Sequence, residues 1–315
     1  MSRKGKHTEQ MKYFMFLLQI IMKMDKLNKQ IEEELAMLKD RYQLECNSFK
    51  SYCKDCKKKG FLDSISQISA FQHNSVFFAE YAMYIEHDYV KARQFYYKAA
   101  KCIEYHLFIQ PDVGWDYKPK RNAAPIKVKV NRMDRSIGNI FYAVLSDNHS
   151  IIERFVSIRD YPVFENLEFT LYAIIQSTLK KNKEELTQHI NFIKKKCEKR
   201  DRHYWGMIDT FEGIRDNNKL QAEAGLAELA GTQHRRNLGH HKAFYSFDTT
   251  TYAKLAWRQG LEVEIDSPLV PKEMLPVMEL DDYPIYDFLK VLDDPDYKSV
   301  SKPKWNILDI QGMVK

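Results

Sequence analysis

Residues 166–231 carry the clearest structural pattern of the chain and read NLEFTLYAIIQSTLKKNKEELTQHINFIKKKCEKRDRHYWGMIDTFEGIRDNNKLQAEAGLAELAG. Short polar stretches interrupt the apolar runs at residues 181–183 (KNK) and 216–218 (DNN). On both sides of each interruption the apolar residues recur at helical spacing, which is typical of two antiparallel helices joined by a tight turn. The stretch therefore predicts two successive helical hairpins.

The polar turns recur at a regular interval. Asn182 and Asn217 are 35 residues apart, and a third turn at Asn148 lies 34 residues before Asn182. Two-helix units of about 35 residues are the kind that stack into solenoids. The sequence thus predicts an all-α fold of stacked helical hairpins, α-solenoid-like and tetratricopeptide-like. Residues 261–265 (LEVEI) alternate apolar and acidic side chains, which predicts a short β element near the C-terminal region.

A further hairpin is predicted upstream, at residues 74–106. Its second half places Tyr89, Ala92, Tyr96 and Ala99 on one helix face, alternating aromatic and small side chains. This half resembles the second helix of a tetratricopeptide repeat, where small residues let paired helices approach closely.

The composition and the positions of Gly and Pro suggest four regions. The 315 residues are 44% hydrophobic, with only 11 Gly and 10 Pro, so the chain can bury a substantial and mainly helical core. The predicted regions are an N-terminal helical region (1–110), a Pro-rich loop or linker (111–130), a helical-hairpin domain (131–278) and an acidic, then irregular tail (279–315).

The cysteines do not predict a disulfide framework, because there are five of them in a long chain. An odd, sparse set of thiols fits a reducing cytosol, and a cytoplasmic location is predicted. Cys53 and Cys56 form a CxxC motif that with Cys46 offers three thiolates, whereas a structural zinc site needs four ligands. No metal and no cofactor is therefore predicted.

The apolar run at residues 13–22 is the one segment that resembles a targeting signal. It is too short to span a bilayer, and no A-x-A cleavage site follows it. Its apolar residues continue into Leu27, Ile31, Leu35 and Leu38 at helical spacing. The run therefore predicts the first amphipathic helix rather than a signal peptide, and no membrane association is expected.

Residues 253–268 read AKLAWRQGLEVEIDSP and are followed by Val270, Pro271 and Leu275. An Ala/Leu-rich helix, a Gly, a short hydrophobic-acidic strand and a Pro-Leu turn resemble the carboxy-terminal signature of the immunity protein 49 family of bacterial polymorphic toxin systems. With the preceding hairpins, the resemblance covers residues 166–275. It implies a helical cytoplasmic immunity protein that binds and neutralises a cognate toxin without catalysing a reaction, and it supplies no functional residues to carry over.

An acidic run is the first candidate for the toxin contact. Many toxins of such systems act on nucleic acid and carry basic sites, so a nuclease is a suitable partner for a negative surface. The candidate contact residues are Glu279, Asp281, Asp282, Asp287, Asp293, Asp294 and Asp296. The concave side of the helical stack is the alternative contact, since solenoids commonly bind there.

Three other functions are compatible with the sequence. A helical-repeat adaptor would hold another protein or peptide in its groove. A HEPN-like ribonuclease would use Arg236 and His241 of HRRNLGHH (234–241), with Arg positioning phosphate and His performing acid-base work, although Gly239 would interrupt the helix that holds them. A nucleic-acid binder would use the N-terminal lysines, but acidic residues share that stretch. The preferred prediction is a non-enzymatic, toxin-binding protein.

Overall fold

The computed structural model describes residues 3–59, 65–108, 115–117, 126–128, 138–157, 163–164, 167–197, 205–232, 243–286 and 289. Side chains are described within residues 25–54, 68–105, 140–157, 163–164, 167, 169–197, 205–232, 243–286 and 289.

Helices form the body of the protein, which confirms the predicted all-α class. In the described part of the chain there are ten α-helices: α1 Arg3–Lys59, α2 Ile65–Tyr81, α3 Tyr89–Phe108, α4 Gly138–Ser146, α5 His149–Ser157, α6 Leu167–Leu179, α7 Lys183–Lys196, α8 Trp205–Asp216, α9 Lys219–Gly231 and α10 Phe247–Arg258. A π-helical turn, Ala82–Glu86, continues α2, and a single 3-10 turn spans Lys272–Met274. Strands β1 (Trp115–Tyr117) and β2 (Ile126–Val128) pair antiparallel. None of the described helices has the length and apolarity that a membrane span needs.

The helices pack largely in sequential pairs: α2 with α3, α4 with α5, α6 with α7, and α8 with α9. The two hairpins predicted within residues 166–231 are therefore confirmed as α6–α7 and α8–α9. The alternation of apolar runs and polar turns made them predictable, because each helix of a pair buries its apolar stripe against the other helix.

All four hairpin turns share one backbone motif. A non-glycine residue in the left-handed region ends the first helix, with φ of 55°, 64°, 57° and 55° at His87, Asp147, Lys181 and Asn217. The next residue is an Asp or Asn whose side chain accepts a hydrogen bond from the backbone N–H three residues on, at 2.9, 2.9, 3.1 and 3.2 Å for Asp88, Asn148, Asn182 and Asn218. The left-handed residue reverses the chain and the cap starts the next helix, so no longer loop is needed.

The predicted β element at residues 261–265 is wrong, because this segment forms no strand. Burial does alternate, with Leu261, Val263 and Ile265 buried and the two glutamates exposed. The backbone polar groups, however, bond to helix side chains. The carbonyl of Val263 accepts from Trp257 Nε1 at 3.1 Å, and the N–H of Glu264 donates to Glu223 Oε1 at 2.8 Å.

The upstream hairpin begins earlier than the predicted residue 74. Helix α2 starts at Ile65 and passes through Asn74 without a break. Asn74 is 2% exposed, so this polar residue is an interior position of the helix rather than its start. The partner helix α3 agrees with the prediction, and Ala92, Tyr96 and Ala99 are fully buried along it.

One hydrophobic core runs through the described residues from Leu38 to Leu289. Helix α10 contacts α4, α6, α8 and α9, so it lies across several hairpins. The chain then returns towards the N-terminal helices. There Tyr286 packs between Phe49 of α1 and Phe71 of α2, at ring-centroid distances of 5.6 and 5.4 Å, and its hydroxyl lies 2.8 Å from Ser75 Oγ.

Candidate partner-binding surface

The turn between α4 and α5 places a carboxylate inside the protein. Asp147 is the left-handed residue of this turn, a position that Asp tolerates better than most residues. Its side chain is 0% exposed, whereas His87, Lys181 and Asn217, which occupy the same position in the other three turns, are exposed. Asp147 therefore takes part in the packing of the protein interior as well as in the turn.

Three cationic side chains converge on Asp147. Its Oδ2 lies 2.9 Å from Arg93 Nε of α3 and 2.6 Å from Lys254 Nζ of α10, and its Oδ1 lies 2.7 Å from Arg258 Nη2 of α10. Arg93 and Lys254 are buried and Arg258 is 13% exposed. We call these four residues the Asp147 cluster. A single carboxylate for two buried cations and one partly buried cation leaves excess positive charge that other acceptors must stabilise.

Backbone carbonyls near the 3-10 turn supply those acceptors. Arg93 Nη2 donates to the carbonyls of Glu273 and Pro276, each at 3.1 Å. Lys254 Nζ donates to the carbonyls of Met274 at 2.5 Å and Pro276 at 3.1 Å. The cluster thus stabilises its charges with the dipoles of the chain that follows, and so fixes that chain in place.

Residues 276–283, the 276–283 segment, contain no helix or strand, yet hydrogen bonds hold them along their length. The N–H of Met278 donates to Asp147 Oδ2 at 3.1 Å. Tyr283 Oη donates to the carbonyl of Ser146 and accepts from the N–H of Leu280, both at 3.0 Å. These contacts give an irregular segment a defined conformation.

The outer side of the 276–283 segment combines apolar and acidic side chains. Val277 and Met278 are 45% and 46% exposed, and Glu279, Asp281 and Asp282 are exposed beside them. Glu279 Oε1 accepts from the N–H of His149 at 3.1 Å, which caps the start of α5. Within the described residues, the carboxylates of Asp281 and Asp282 have no hydrogen bond or ion pair, so they are available to a partner.

A further buried cation, Lys98, lies near the end of this segment. Lys98 Nζ of α3 lies 4.6 Å from the ring centroid of Phe95 and 5.6 Å from that of Tyr286. Burial lowers the pKa of Lys98 to about 8. Burial is also the main reason that the pKa of Lys254 is lowered to about 7, with Arg93 and Arg258 lowering it further and Asp147 opposing them.

These lysines contribute stability that increases with pH in the mildly alkaline range, whereas buried groups such as Cys102 and Tyr245, whose pKa burial raises, contribute in the opposite direction. A lysine with a lowered pKa in the folded protein binds its proton less tightly than in the unfolded chain, where the pKa is near 10.5. Between about pH 8 and 9.5 these two lysines therefore hold more protons in the unfolded chain, and their contribution to the free energy of unfolding rises with pH. Lys98→Met is expected to reduce this slope by up to about 1.4 kcal/mol per pH unit. Urea unfolding at pH 7, 8, 9 and 9.5 measures how the free energy of unfolding changes with pH. If this pH dependence is the same in the variant and the wild type, its assignment to Lys98 is contradicted.

The structure describes only part of the predicted acidic contact. Glu279, Asp281 and Asp282 lie together on the 276–283 segment, whereas Asp287, Asp293, Asp294 and Asp296 lie outside the described residues. Arg236 and His241, the candidate ribonuclease pair, also lie outside them.

Sequence reasoning missed the Asp147 cluster. One local signal was present, since Lys254 and Arg258 are four residues apart on a helix rich in apolar residues. Such a pair ordinarily indicates a solvated face, so its burial could not be inferred without knowing what packs on α10.

The cysteines of α1 are buried and cannot share one zinc ion. Cys46 and Cys53 are both buried in the core. Seven residues of helix separate them by about 10.5 Å along the axis, whereas two thiolates on one zinc lie at most about 4.6 Å apart. Burial raises the pKa of the Cys46 thiol, which makes it less reactive as a nucleophile. The side chain of Cys56 lies outside the described residues.

The described residues define the class of this protein as all-α, built of sequential helical pairs with an anchored, partly acidic C-terminal segment. Comparison with models of known families, with curated proteins and with solved structures found no match. Its function is therefore proposed from its own residues and from the resemblance of residues 166–275 to a known family.

Proposed function

We propose that this protein is a non-catalytic cytoplasmic immunity protein that neutralises a cognate bacterial toxin by binding it. The observation that supports this best is the 276–283 segment, whose exposed apolar and acidic side chains stand on a backbone fixed by the Asp147 cluster. The resemblance of residues 166–275 to the immunity protein 49 family supplies the toxin as the kind of partner.

Preorganisation is the physical reason to place the contact here. An irregular segment that becomes ordered only on binding loses conformational entropy, which weakens affinity. Here the folded protein already fixes the segment, by bonds from Arg93 and Lys254 to the carbonyl of Pro276 and by the bond between Met278 and Asp147. Buried charges often add little stability over apolar packing, and holding one conformation is a recognised use of them.

Composition of the surface suits a basic protein partner. Val277 and Met278 provide apolar contact area, and Asp281 and Asp282 lie beside them. The chain as a whole carries a net charge of +6, so attraction of a basic toxin depends on this local negative patch. A nuclease, whose own site binds phosphate, is the class of toxin that fits best.

Under this proposal the helical pairs are a scaffold. Successive caps at Asn148, Asn182 and Asn218 are 34 and 36 residues apart, which supports a solenoid-like, tetratricopeptide-like arrangement with α10 packed across it. The caps fix the hairpin ends, and the core positions the turn that holds Asp147.

Co-expression with the product of the neighbouring upstream gene tests the function. If that product is the cognate toxin, it arrests growth when expressed alone, and this chain restores growth and co-purifies with it. Persistent growth arrest, or rescue without a stable complex, would contradict neutralisation by direct binding.

Charge reversal tests the contact surface. We expect Asp281→Lys/Asp282→Lys to weaken binding of that gene product at least tenfold at 50 mM salt, and less at 300 mM, because ions screen exposed charges. Glu262→Lys/Glu264→Lys is the matched control, since it reverses two exposed acids of another irregular segment. Calorimetric titration at both salt concentrations measures the effect. If the double variant binds like the control, the toxin contacts another surface.

A further inference from the structure

The ends of three helices surround a surface cavity of about 250 Å³. It lies between the turn that joins α6 to α7 and the turn that joins α8 to α9, beside the end of α10. Leu186 and Ile214, both buried, give it an apolar part. Lys181, Lys183 and Asn217 line it and are exposed, so the cavity opens to solvent. A concave site that combines apolar residues with a few polar groups is the usual form of a small-ligand site.

The charged residues that line the cavity are cationic. Lys181, Lys183 and Arg215 are among them, and none of the described lining residues is acidic. The charge of Arg215 is already neutralised, because its guanidinium donates to both carboxylate oxygens of Asp216 at 2.9 and 2.7 Å. Within the described residues, the ammonium groups of Lys181 and Lys183 form no ion pair and no hydrogen bond. Two positive charges without a close counter-charge therefore adjoin an apolar cavity.

Lys183 is unfavourably placed for its own helix. It is the first residue of α7, where the helix dipole repels a positive charge. Lys183 contributes, after Arg215, to lowering the pKa of Asp216, but no carboxylate of the described chain lies within ion-pair distance of it. A residue that opposes a local preference without a compensating contact is a candidate for a role in function.

We propose that this cavity binds a carboxylate carried on a small apolar group. Lys181 and Lys183 supply positive charge. The side-chain amides of Asn217 and Gln259, which make no hydrogen bond within the described residues, supply N–H donors. The cavity is smaller than the about 300–1,000 Å³ that is usual for drug-sized ligands, so the ligand has the size of a single amino-acid side chain. A free short-chain acid and the C-terminal residue of a peptide share this chemistry.

The helix ends favour a carboxylate over a phosphate. Helices α6, α8 and α10 end at the cavity, and only α7 begins among its described lining residues. The C-terminal end of a helix carries a partial negative charge, so a second negative charge on the ligand is accommodated less well than the first. Phosphate also has no apolar group to place against Leu186 and Ile214.

Titration of the full-length, ¹⁵N-labelled protein with hexanoate, followed by NMR, tests the site without any toxin. We expect saturable binding with a dissociation constant on the order of 1 mM, since the ligand has few atoms. The shifts of the backbone amides of Asn217 and Gln259 should be among those that change. Hexanol and hexylammonium, which have the same chain without a carboxylate, should bind at least tenfold more weakly. No saturation up to 20 mM, equally tight binding of hexanol, or shift changes centred elsewhere would overturn the proposal.

Neutral variants test the role of the two lysines. Lys181→Gln/Lys183→Gln is expected to weaken hexanoate binding at least fivefold without lowering the melting temperature, because neither ammonium group has an ion-pair partner in the described chain. Lys181→Arg/Lys183→Arg, which keeps the charge, should retain most of the binding. Lys195→Gln/Lys196→Gln is the matched control, since it removes two exposed charges of the same helix about 18 Å away. Unchanged binding in the first variant, or an equal loss in the control, would contradict the site.

A peptide separates the two sources of the carboxylate. Acetyl-Gly-Gly-Leu presents an apolar residue with a C-terminal carboxylate, and its C-terminal amide lacks the charge. Tighter binding of the peptide acid than of hexanoate assigns the cavity to a peptide C-terminus, and weaker binding assigns it to a free small acid. If the peptide amide and hexanoate bind equally well, or if inorganic phosphate displaces hexanoate at equal concentration, the cavity does not recognise a carboxylate on an apolar group.

Discussion

Asp147→Asn is expected to lower the free energy of unfolding by about 3–5 kcal/mol. Asp147 is the one carboxylate that the described residues place within ion-pair distance of Arg93, Lys254 and Arg258. Asparagine preserves the size of the side chain and tolerates the left-handed conformation, so the change removes charge and little else. The two arginines would then remain in or at the edge of the interior without a counter-charge, and Lys254, whose pKa burial lowers and Asp147 raises, would lose its proton more readily. Urea denaturation followed by circular dichroism measures the loss.

A matched control separates this effect from that of the turn. Asp216→Asn removes a carboxylate beside the left-handed residue of the α8–α9 turn, where the side chain is 51% exposed and pairs with Arg215. Exposed ion pairs contribute at most about 1 kcal/mol. If both variants lose the same stability, burial of Asp147 has no special energetic role.

Asp147→Asn also tests whether the Asp147 cluster holds the 276–283 segment in its conformation. Met278 loses a charged acceptor when Asp147 becomes neutral, and Pro276 stays bonded to cations that are no longer held. Hydrogen exchange of the 276–283 segment is therefore expected to accelerate more than that of α8 or α9. Uniform acceleration would show that the cluster stabilises the fold without specifically fixing the segment.

Gly225→Ala is expected to destabilise the protein by about 3 kcal/mol. Helices α8 and α9 approach each other closely where Gly225 faces Gly206 and Thr210. A Cβ at position 225 would lie 2.6 Å from the backbone nitrogen of Thr210 and closer still to the carbonyl oxygen of Gly206. Both are backbone atoms, so relief requires the two helices to separate. Thermal and urea unfolding measure the change.

Gly231→Ala is the control for helix propensity. Gly231 ends the same helix, and a Cβ there would meet nothing within 4 Å. Replacing glycine by alanine inside a helix ordinarily stabilises by about 0.5–1 kcal/mol, so we expect a neutral or stabilising effect. Similar behaviour of the two variants would show that α8 and α9 tolerate a wider separation than the structure indicates.

Hairpins and their turns were predictable because the interactions that form them are local. An Asn or Asp side chain that caps a helix needs only a backbone N–H three residues away, as at Asn182 and Asn218. Helical spacing of apolar residues likewise follows from the geometry of a single element. At residues 261–265, prediction from local patterns fails. The alternating burial of these residues was predictable from the sequence. The hydrogen-bond partners of their backbone groups were not, because Trp257 and Glu223 lie on two different helices.

The amino-acid order was sufficient to specify the helical pairs, the positions of their turns and the acidic character of residues 279–282. Folding in three dimensions determined which charges become buried. Arg93 lies 54 residues from Asp147, and Arg258 lies 111 residues from it, so no local pattern relates them. An isolated turn exposes an Asp to water. Asp147 became the centre of an ion cluster because α3 and α10 pack against its turn, exclude water and bring three cations within hydrogen-bond distance.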